Sequence, residues 1–256
     1  VYTVFKTELE SSKSKGQIML PTIDERLRSA ASLVSPGARL ADIGSDHAYL
    51  PIYLCGKGIV SRALASDLNP GPVLAAKENI REYGMSDRIQ TLRTDGLDGV
   101  FAFNPDHITI LGMGGELIIS IIDKAEWVKD GKIKLILQPM THAELLYTYL
   151  LNNGFCVEDE IICSTSPERD DRMYRIIKAS YDGKIRECGL CEALVGRVNI
   201  EKYLARYDEI TERYIRRIIR IYSARIEGKN RSAIVAESEI MLVGELENLL
   251  NRPKKT

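Results

Sequence analysis

Three carboxylates close three apolar runs in the first hundred positions. Asp42 follows Leu40-Ala41, Asp67 follows Ala63-Leu64-Ala65-Ser66, and Asp95 follows the run around Ile89 to Leu92. Gly44 stands two residues after Asp42, and Gly96 directly after Asp95. Such acids can accept hydrogen bonds from ribose hydroxyls and exocyclic amines, and glycines let the backbone approach a ligand closely. The pattern therefore suits a nucleoside held across successive strand ends, the site at which doubly wound sheets bind nucleotides. Two plainer roles also fit: Asp67 capping the Asn69-Pro70 turn, and Asp95-Gly96 forming an ordinary turn.

The turn after the first run decides the class of ligand. A dinucleotide loop needs Gly-x-Gly-x-x-Gly, but after Gly44 the chain reads Ser45-Asp46-His47-Ala48-Tyr49. An S-adenosyl-L-methionine loop, Asp/Glu-x-Gly-x-Gly-x-Gly, is matched at Asp42, Gly44 and the small Ala48, with Asp46 in place of the middle glycine. That ligand has no pyrophosphate and tolerates nearby carboxylates. The cofactor-binding set is then Asp42, Gly44, Ser45, Asp67, Leu68, Asp95, Gly96, Gly112 and Gly114. Asp46, His47 and Tyr49 cluster at the mouth and, with Met113, are the catalytic candidates; Asp46 could instead cap the following helix. Gly112-Met113-Gly114-Gly115 follows the fourth run, where a loop would face the reacting group. Gln138-Pro139 ends the fifth run, its amide available to a base edge or to cap a strand.

These residues need a frame, and the apolar periodicity supplies one. Strands are predicted at 39–43, 62–66, 89–92, 107–111 and 132–137, separated by helical patterns at 49–57, 71–83 and 116–122. A helix at 143–152 and strands at 156–163 and 173–179 follow. The last two are joined by too short a link for a crossover helix and should form an antiparallel hairpin at one end of the sheet. The expected fold is α/β, a Rossmann-like, mostly parallel sheet with one antiparallel strand. Residues 1–20 lack periodicity and read as an extension, 21–184 as the sheet domain, and 185–256 as a helical, coiled-coil-like arm broken into a hairpin at Gly228-Lys229-Asn230.

Charge is balanced overall, with 35 basic and 36 acidic residues, so only local patches can speak for a nucleic-acid partner. One exists: Arg213, Arg216, Arg217, Arg220, Arg225, Lys229 and Arg231 face a single intervening acid, Glu227, with Tyr214 and Tyr222 interleaved. Phosphate contact along a folded RNA and a solvated helix face both fit. No apolar run is long enough for a membrane span, and five scattered cysteines suggest reduced thiols, so a cytoplasmic location is expected. Cys188-Gly-Leu-Cys191 has metal-knuckle spacing but no second pair, and no metal is expected.

Asp42-Ile-Gly-Ser-Asp-His-Ala-Tyr-Leu-Pro51, Ile108-Thr-Ile-Leu-Gly-Met-Gly-Gly115 and Leu135-Ile-Leu-Gln-Pro139 resemble the bacterial TrmK family of tRNA (adenine-N1)-methyltransferases, which act on adenine at tRNA position 22. The resemblance runs from about residue 24 into the C-terminal helices. It departs at Asp67, where many members carry Glu, and at Met140-Thr141, where Asn follows Gln-Pro. It implies S-adenosyl-L-methionine as cofactor, a class I methyltransferase domain, a C-terminal coiled-coil arm and tRNA as partner. Competing readings are a methyltransferase acting on another RNA or a small molecule, and a non-catalytic RNA-binding protein on the same scaffold.

Overall fold

A computed structural model describes residues 20–166, 168, 172–231 and 236–253. Residues 1–19 of the expected extension and the side chains of Asn230 and Arg231 lie outside the described residues. The chain divides into two compact units, Val1–Thr109 and Ile110–Thr256, and its seven strands form one sheet in the order β3-β2-β1-β4-β5-β7-β6.

In the first unit, α1 (Glu25–Ser32) is capped by Asp24, whose carboxylate accepts the Leu27 amide at 2.8 Å. Next come β1 (Ala38–Ile43), α2 (Tyr49–Gly56), β2 (Val60–Asp67), α3 (Pro70–Glu82) and β3 (Ile89–Arg93). β1 pairs parallel with β2 and β2 with β3. Leu40, Ala41, Ala63 and Ala65 are wholly buried, the near-continuous apolar composition of parallel strands covered on both faces. β4 (His107–Gly114) begins in this unit and ends in the second. Asp106 and His107 anchor the start of β1: Asp106 accepts the Arg39 amide at 3.0 Å, and the His107 ring bridges Asp106 and Ser35 at 2.7 and 3.1 Å.

The second unit contains α4 (Gly115–Asp123), β5 (Lys134–Thr141), α5 (Ala143–Asn152), β6 (Phe155–Ser164) and β7 (Met173–Tyr181). β7 runs antiparallel to both β5 and β6. The expected hairpin is therefore present, but its second strand turns back inside, so the antiparallel strand is next to the edge rather than at it.

Beyond the sheet lie α6 (Leu190–Val195), α7 (Arg197–Ala205), α8 (Glu209–Arg231) and α9 (Glu237–Asn251). The expected break at Gly228-Lys229-Asn230 is absent: α8 continues through it. One interior glycine costs only about 1 kcal/mol, and Lys229 pairs with Glu239 of α9, holding that turn in place. The two helices of the expected hairpin are nonetheless there, α8 running to Arg231 and α9 beginning at Glu237; further interruptions fall earlier, at Gly196 (φ +97°) and at Asp208, whose carboxylate caps α8 through the Thr211 amide at 2.9 Å. Tyr214, Ile215 and Ile218 of α8 and Leu242, Leu246 and Leu249 of α9 share one apolar cluster with Ile162 of β6, Met173 of β7 and Tyr203 of α7.

A buried ion pair ties this cluster to the sheet. Arg175 on β7 and Glu160 on β6 have side chains 1% and 0% exposed. The guanidinium donates from Nε to Glu160 Oε1 at 2.8 Å and from Nη1 to the Ala193 carbonyl at 2.6 Å, and it lies 4.4 Å from the centroid of the Tyr147 ring. Glu160 Oε2 accepts the Val198 amide at 3.1 Å. A Cβ at Gly196 would come within 2.3 Å of both carboxylate oxygens, so the junction of α6 and α7 closes over the pair only with glycine there. Arg175→Met strands a buried carboxylate and is expected to lower stability by about 3–5 kcal/mol. Adding Glu160→Leu should return part of that loss, both read by urea denaturation.

Candidate functional site

The turn leaving β1 is built from inside. Gly44 takes φ +74°, and the Gly44 and Ser45 amides both donate to the Ser66 carbonyl of β2 at 2.8 Å. Asp42 points inward. It is 7% exposed and accepts a hydrogen bond from Thr109 Oγ1 at 2.6 Å. Burial pushes its carboxyl above the usual aspartate range, opposed by the Thr109 and Ser45 hydroxyls and by the charge of Arg26. Ala48, where an S-adenosyl-L-methionine loop places its last glycine, adopts φ +54°, a left-handed conformation that costs an alanine about 1–2 kcal/mol. From α3, the nearly buried Asn79 donates to the His47 carbonyl at 3.0 Å. The turn is thus held at both ends.

Its middle is displayed. Asp46 has a side chain 70% exposed and lies 3.3 Å from His47 Nε2, and the His47 and Tyr49 rings stack at 5.2 Å with 21° between planes. α2 begins without a side-chain cap, which removes the capping role considered for Asp46. His47 Nδ1 is shielded from solvent and has no hydrogen-bond partner among the described residues.

Two neighbouring strand ends complete this face of the first unit. Asp67 is half-buried; its Oδ1 accepts the Asn69 amide at 2.7 Å, so it does cap that turn, and its carbonyl accepts the Thr94 amide at 3.0 Å. Leu68 beside it is 56% exposed, an apolar surface next to a carboxylate. Asp95 is exposed and Gly96 takes φ +53°. A half-buried acid, an open apolar side chain and a second acid thus stand at the ends of two adjacent parallel strands, groups able to accept hydrogen bonds and to cover a flat ring.

In the second unit, Gly112 takes φ +78° and its amide donates to Gln138 Oε1 at 3.1 Å. Gln138 is wholly buried, and its Nε2 donates to the Pro139 carbonyl at 2.9 Å. It therefore faces inward, which rules out the base-edge role considered for it. A Cβ on Gly115 would lie 2.4 Å from the His142 carbonyl oxygen. Met113 and Gly114, between these clamps, are half-exposed.

On α8, Arg213, Arg216, Arg217 and Arg220 recur at three and four residues and form one stripe. The buried Thr211, Tyr214, Ile215 and Ile218 occupy the opposite side. Arg216 pairs with Glu212 at 2.7 Å, Arg225 lies 4.6 Å from the centroid of the Tyr222 ring, and Lys229 is held by Glu239. Among the described residues no cluster of three or more His, Cys, Asp or Glu is placed to hold a metal, and no helix is long and apolar enough to cross a membrane.

Thr109 and Asn79 were not legible as site residues. Thr109 sits in an apolar strand and Asn79 in a helix, and the groups they bond are 67 and 32 residues away. Polarity at a position otherwise patterned for burial was the one available signal.

The chain is similar to known methyltransferases. Residues 23–177 match the family model described as a methyltransferase domain. A Bacillus subtilis (strain 168) tRNA (adenine(22)-N(1))-methyltransferase is 35% identical over 175 residues, 66% of this chain and 72% of that protein. The crystal structure of the B. subtilis M1A22 tRNA methyltransferase TrmK superposes with TM-score 0.72 at 29% identity, covering 89% of this chain and 95% of that one. A Streptococcus pneumoniae protein in complex with S-adenosyl-L-methionine gives TM-score 0.76 at 26% identity over 90% and 100% of the two chains.

The buried Asp42 makes Thr109 a sensitive position. Thr109→Val should cost about 1–3 kcal/mol by leaving a buried acceptor short of a donor, and Thr109→Ser should recover most of it, as measured by chemical denaturation.

Proposed function

The chain belongs to the methyltransferase-domain family and, within it, to the bacterial tRNA (adenine(22)-N1)-methyltransferases, and from this we infer that it methylates N1 of adenine 22 in tRNA with S-adenosyl-L-methionine. The observation that carries the reading is the turn at Gly44: a buried acid beneath it, an acidic and aromatic cluster on it, and two further acids on the adjoining strand ends. Asp67 would take the ribose hydroxyls, Leu68 the adenine face, and Asp95 with Gly96 the adenine edge. Asp42 would act from beneath, through Ser45, to shape the turn beside the amino-acid end. Gly112 and Gly114 complete the proposed cofactor-binding set. Bound there, the cofactor supplies an electrophilic sulfonium methyl.

The acceptor needs little activation. Adenine N1 carries an in-plane lone pair at neutral pH, so no strong base is required before attack. The protein has to orient that lone pair, exclude water, and tolerate a base that gains positive charge. Asp46 supplies a carboxylate for the developing charge, His47 and Tyr49 supply a stacked aromatic surface for the base, and Met113 is the remaining catalytic candidate. The base must first leave its stack, at a cost of a few kcal/mol, which aromatic stacking of about 1–3 kcal/mol can offset. Phosphates are met by the arginine stripe of α8, assisted by Arg225 and Lys229. A tRNA substrate supports a cytoplasmic location.

Labelled methyl transfer to an unmodified tRNA transcript, followed by nucleoside analysis, should yield 1-methyladenosine, and an adenine-to-guanine change at position 22 should abolish it. Transfer to the altered transcript would refute the site assignment. Asp46→Ala should reduce kcat roughly tenfold or more while cofactor Kd stays within about twofold. Replacing Arg213, Arg217 and Arg220 together by alanine should weaken tRNA binding and reduce the slope of log affinity against log salt by about one per lost phosphate contact. An unchanged slope would remove the stripe from the interface.

A further inference from the structure

We propose that Gln138 is a positioning residue for methyl transfer, acting through the Gly112 amide to hold the Gly112-Met113-Gly114 segment in its one working conformation. This rests on the methyltransferase reading above for its kinetic consequence, but not for its structural one.

The segment is clamped at two points. At its start, Gly112 sits at φ +78°, and its amide meets Gln138 Oε1 at 3.1 Å. At its end, Gly115 packs so closely that an added Cβ would lie 2.4 Å from the His142 carbonyl oxygen and 2.9 Å from that of Thr141. Both clamps come from the end of β5 and the entry to α5. His142 itself is left-handed at φ +54°, which turns its carbonyl toward α4. Only Met113 and Gly114 lie between the clamps.

The two clamps differ in kind. The Gly115 contact is steric and only forbids approach. The Gln138 bond is directional and fixes where the Gly112 amide points. Gly112 is exposed, and glycine has more backbone freedom than any other residue, so without an acceptor its amide would turn to water. Gln138 is well suited to resist this. It is wholly buried, its own Nε2 is committed to the Pro139 carbonyl at 2.9 Å, and Met140 Sδ lies 3.5 Å from the same nitrogen. The amide cannot flip without placing an N–H against the Gly112 N–H. A buried polar side chain satisfied at both ends costs little to keep and about 1–3 kcal/mol to disrupt. Its role is to stiffen a stretch that glycine composition makes soft.

Two full-length variants test this. Gln138→Met preserves length and volume and removes the acceptor; Gln138→Glu keeps an acceptor oxygen and, when protonated in this buried site, a donor as well. In the wild type, hydrogen exchange at the Gly112 amide should be protected. In Gln138→Met it should be at least about tenfold faster, with protection at Leu135 and Ile136 unchanged. With tRNA as substrate, Gln138→Met should lose about 10- to 100-fold in kcat at saturating cofactor, with tRNA KM within about twofold and cofactor Kd weakened by much less than kcat, the part expected from loosening Gly112 and Gly114 of the proposed cofactor set. Gln138→Glu should recover much of the loss below neutral pH and relinquish it as pH rises and the carboxyl ionises. A folded Gln138→Met protein with wild-type kcat, or one whose cofactor affinity falls in step with kcat, overturns the positioning role. Equal Gly112 exchange in wild type and variant overturns the clamp, even if the chain methylates nothing. Failure of the wild type itself to modify tRNA would instead sink the functional reading and leave the exchange result to decide the clamp.

Discussion

The hydrogen bond from Thr109 to Asp42 is the interaction on which the site depends most. A carboxylate removed from water is costly unless its oxygens are satisfied, and here two hydroxyls, from Thr109 and Ser45, answer one acid. The bond fixes the last residue pair of β1 against β4 and sets the direction in which the chain must leave. Gly44 then turns at a backbone angle that glycine accepts without strain, and Ser66 takes both amides that follow. Everything displayed on the turn, including Asp46, His47 and Tyr49, inherits its position from an acid that solvent barely reaches.

How much of this was legible follows from how local each determinant is. Acids closing apolar runs, glycines after them and alternating helical periods are local patterns, so the strands and the residues at their ends could be read directly. Partners could not. Asp42 is legible as a strand-end acid; that Thr109 would take its carboxylate and hold it buried is not. Gln138 seemed available to a base edge, yet it is wholly buried. In each case the side chain's direction depends on a partner far along the chain, Thr109 or Gly112. The misplaced break at Gly228 has another origin. Gly228-Lys229-Asn230 has turn composition, but Glu239 reaches Lys229 and α8 continues, while the inconspicuous Asp208 provides the cap that starts the helix.

The C-terminal helices resolve an apparent contradiction between a net charge of -1 and an RNA substrate. Charge is sorted by helix face rather than by region. Tyr214, Ile215 and Ile218 commit one side of α8 to the cluster shared with β6 and β7, which leaves Arg213, Arg216, Arg217 and Arg220 on the other. The buried pair of Arg175 and Glu160 helps set that orientation, because Glu160 reaches the first turn of α7 and Arg175 the last turn of α6. An uncharged replacement could pack as tightly, since a buried ion pair is weak evidence for stability alone. What the pair adds is direction: its hydrogen bonds admit one arrangement of α6 and α7 over the hairpin, and so one outward face for the arginines.

The same device appears once in each unit, with opposite polarity. In the first unit Asn79 donates to a carbonyl in the turn at Ala48, and in the second Gln138 accepts an amide in the turn at Gly112. Both are buried side-chain amides, both grip backbone rather than side chain, and both serve a turn containing a residue at positive φ. Gripping the backbone leaves the side chains of the turn free for a ligand. It also suits a reaction in which the nucleophile arrives already competent. Where no proton has to be removed before attack, a mobile catalytic base would contribute little, and the gain lies in geometry held before the substrate arrives. Rigid turns carrying exposed groups are what that chemistry asks of a scaffold.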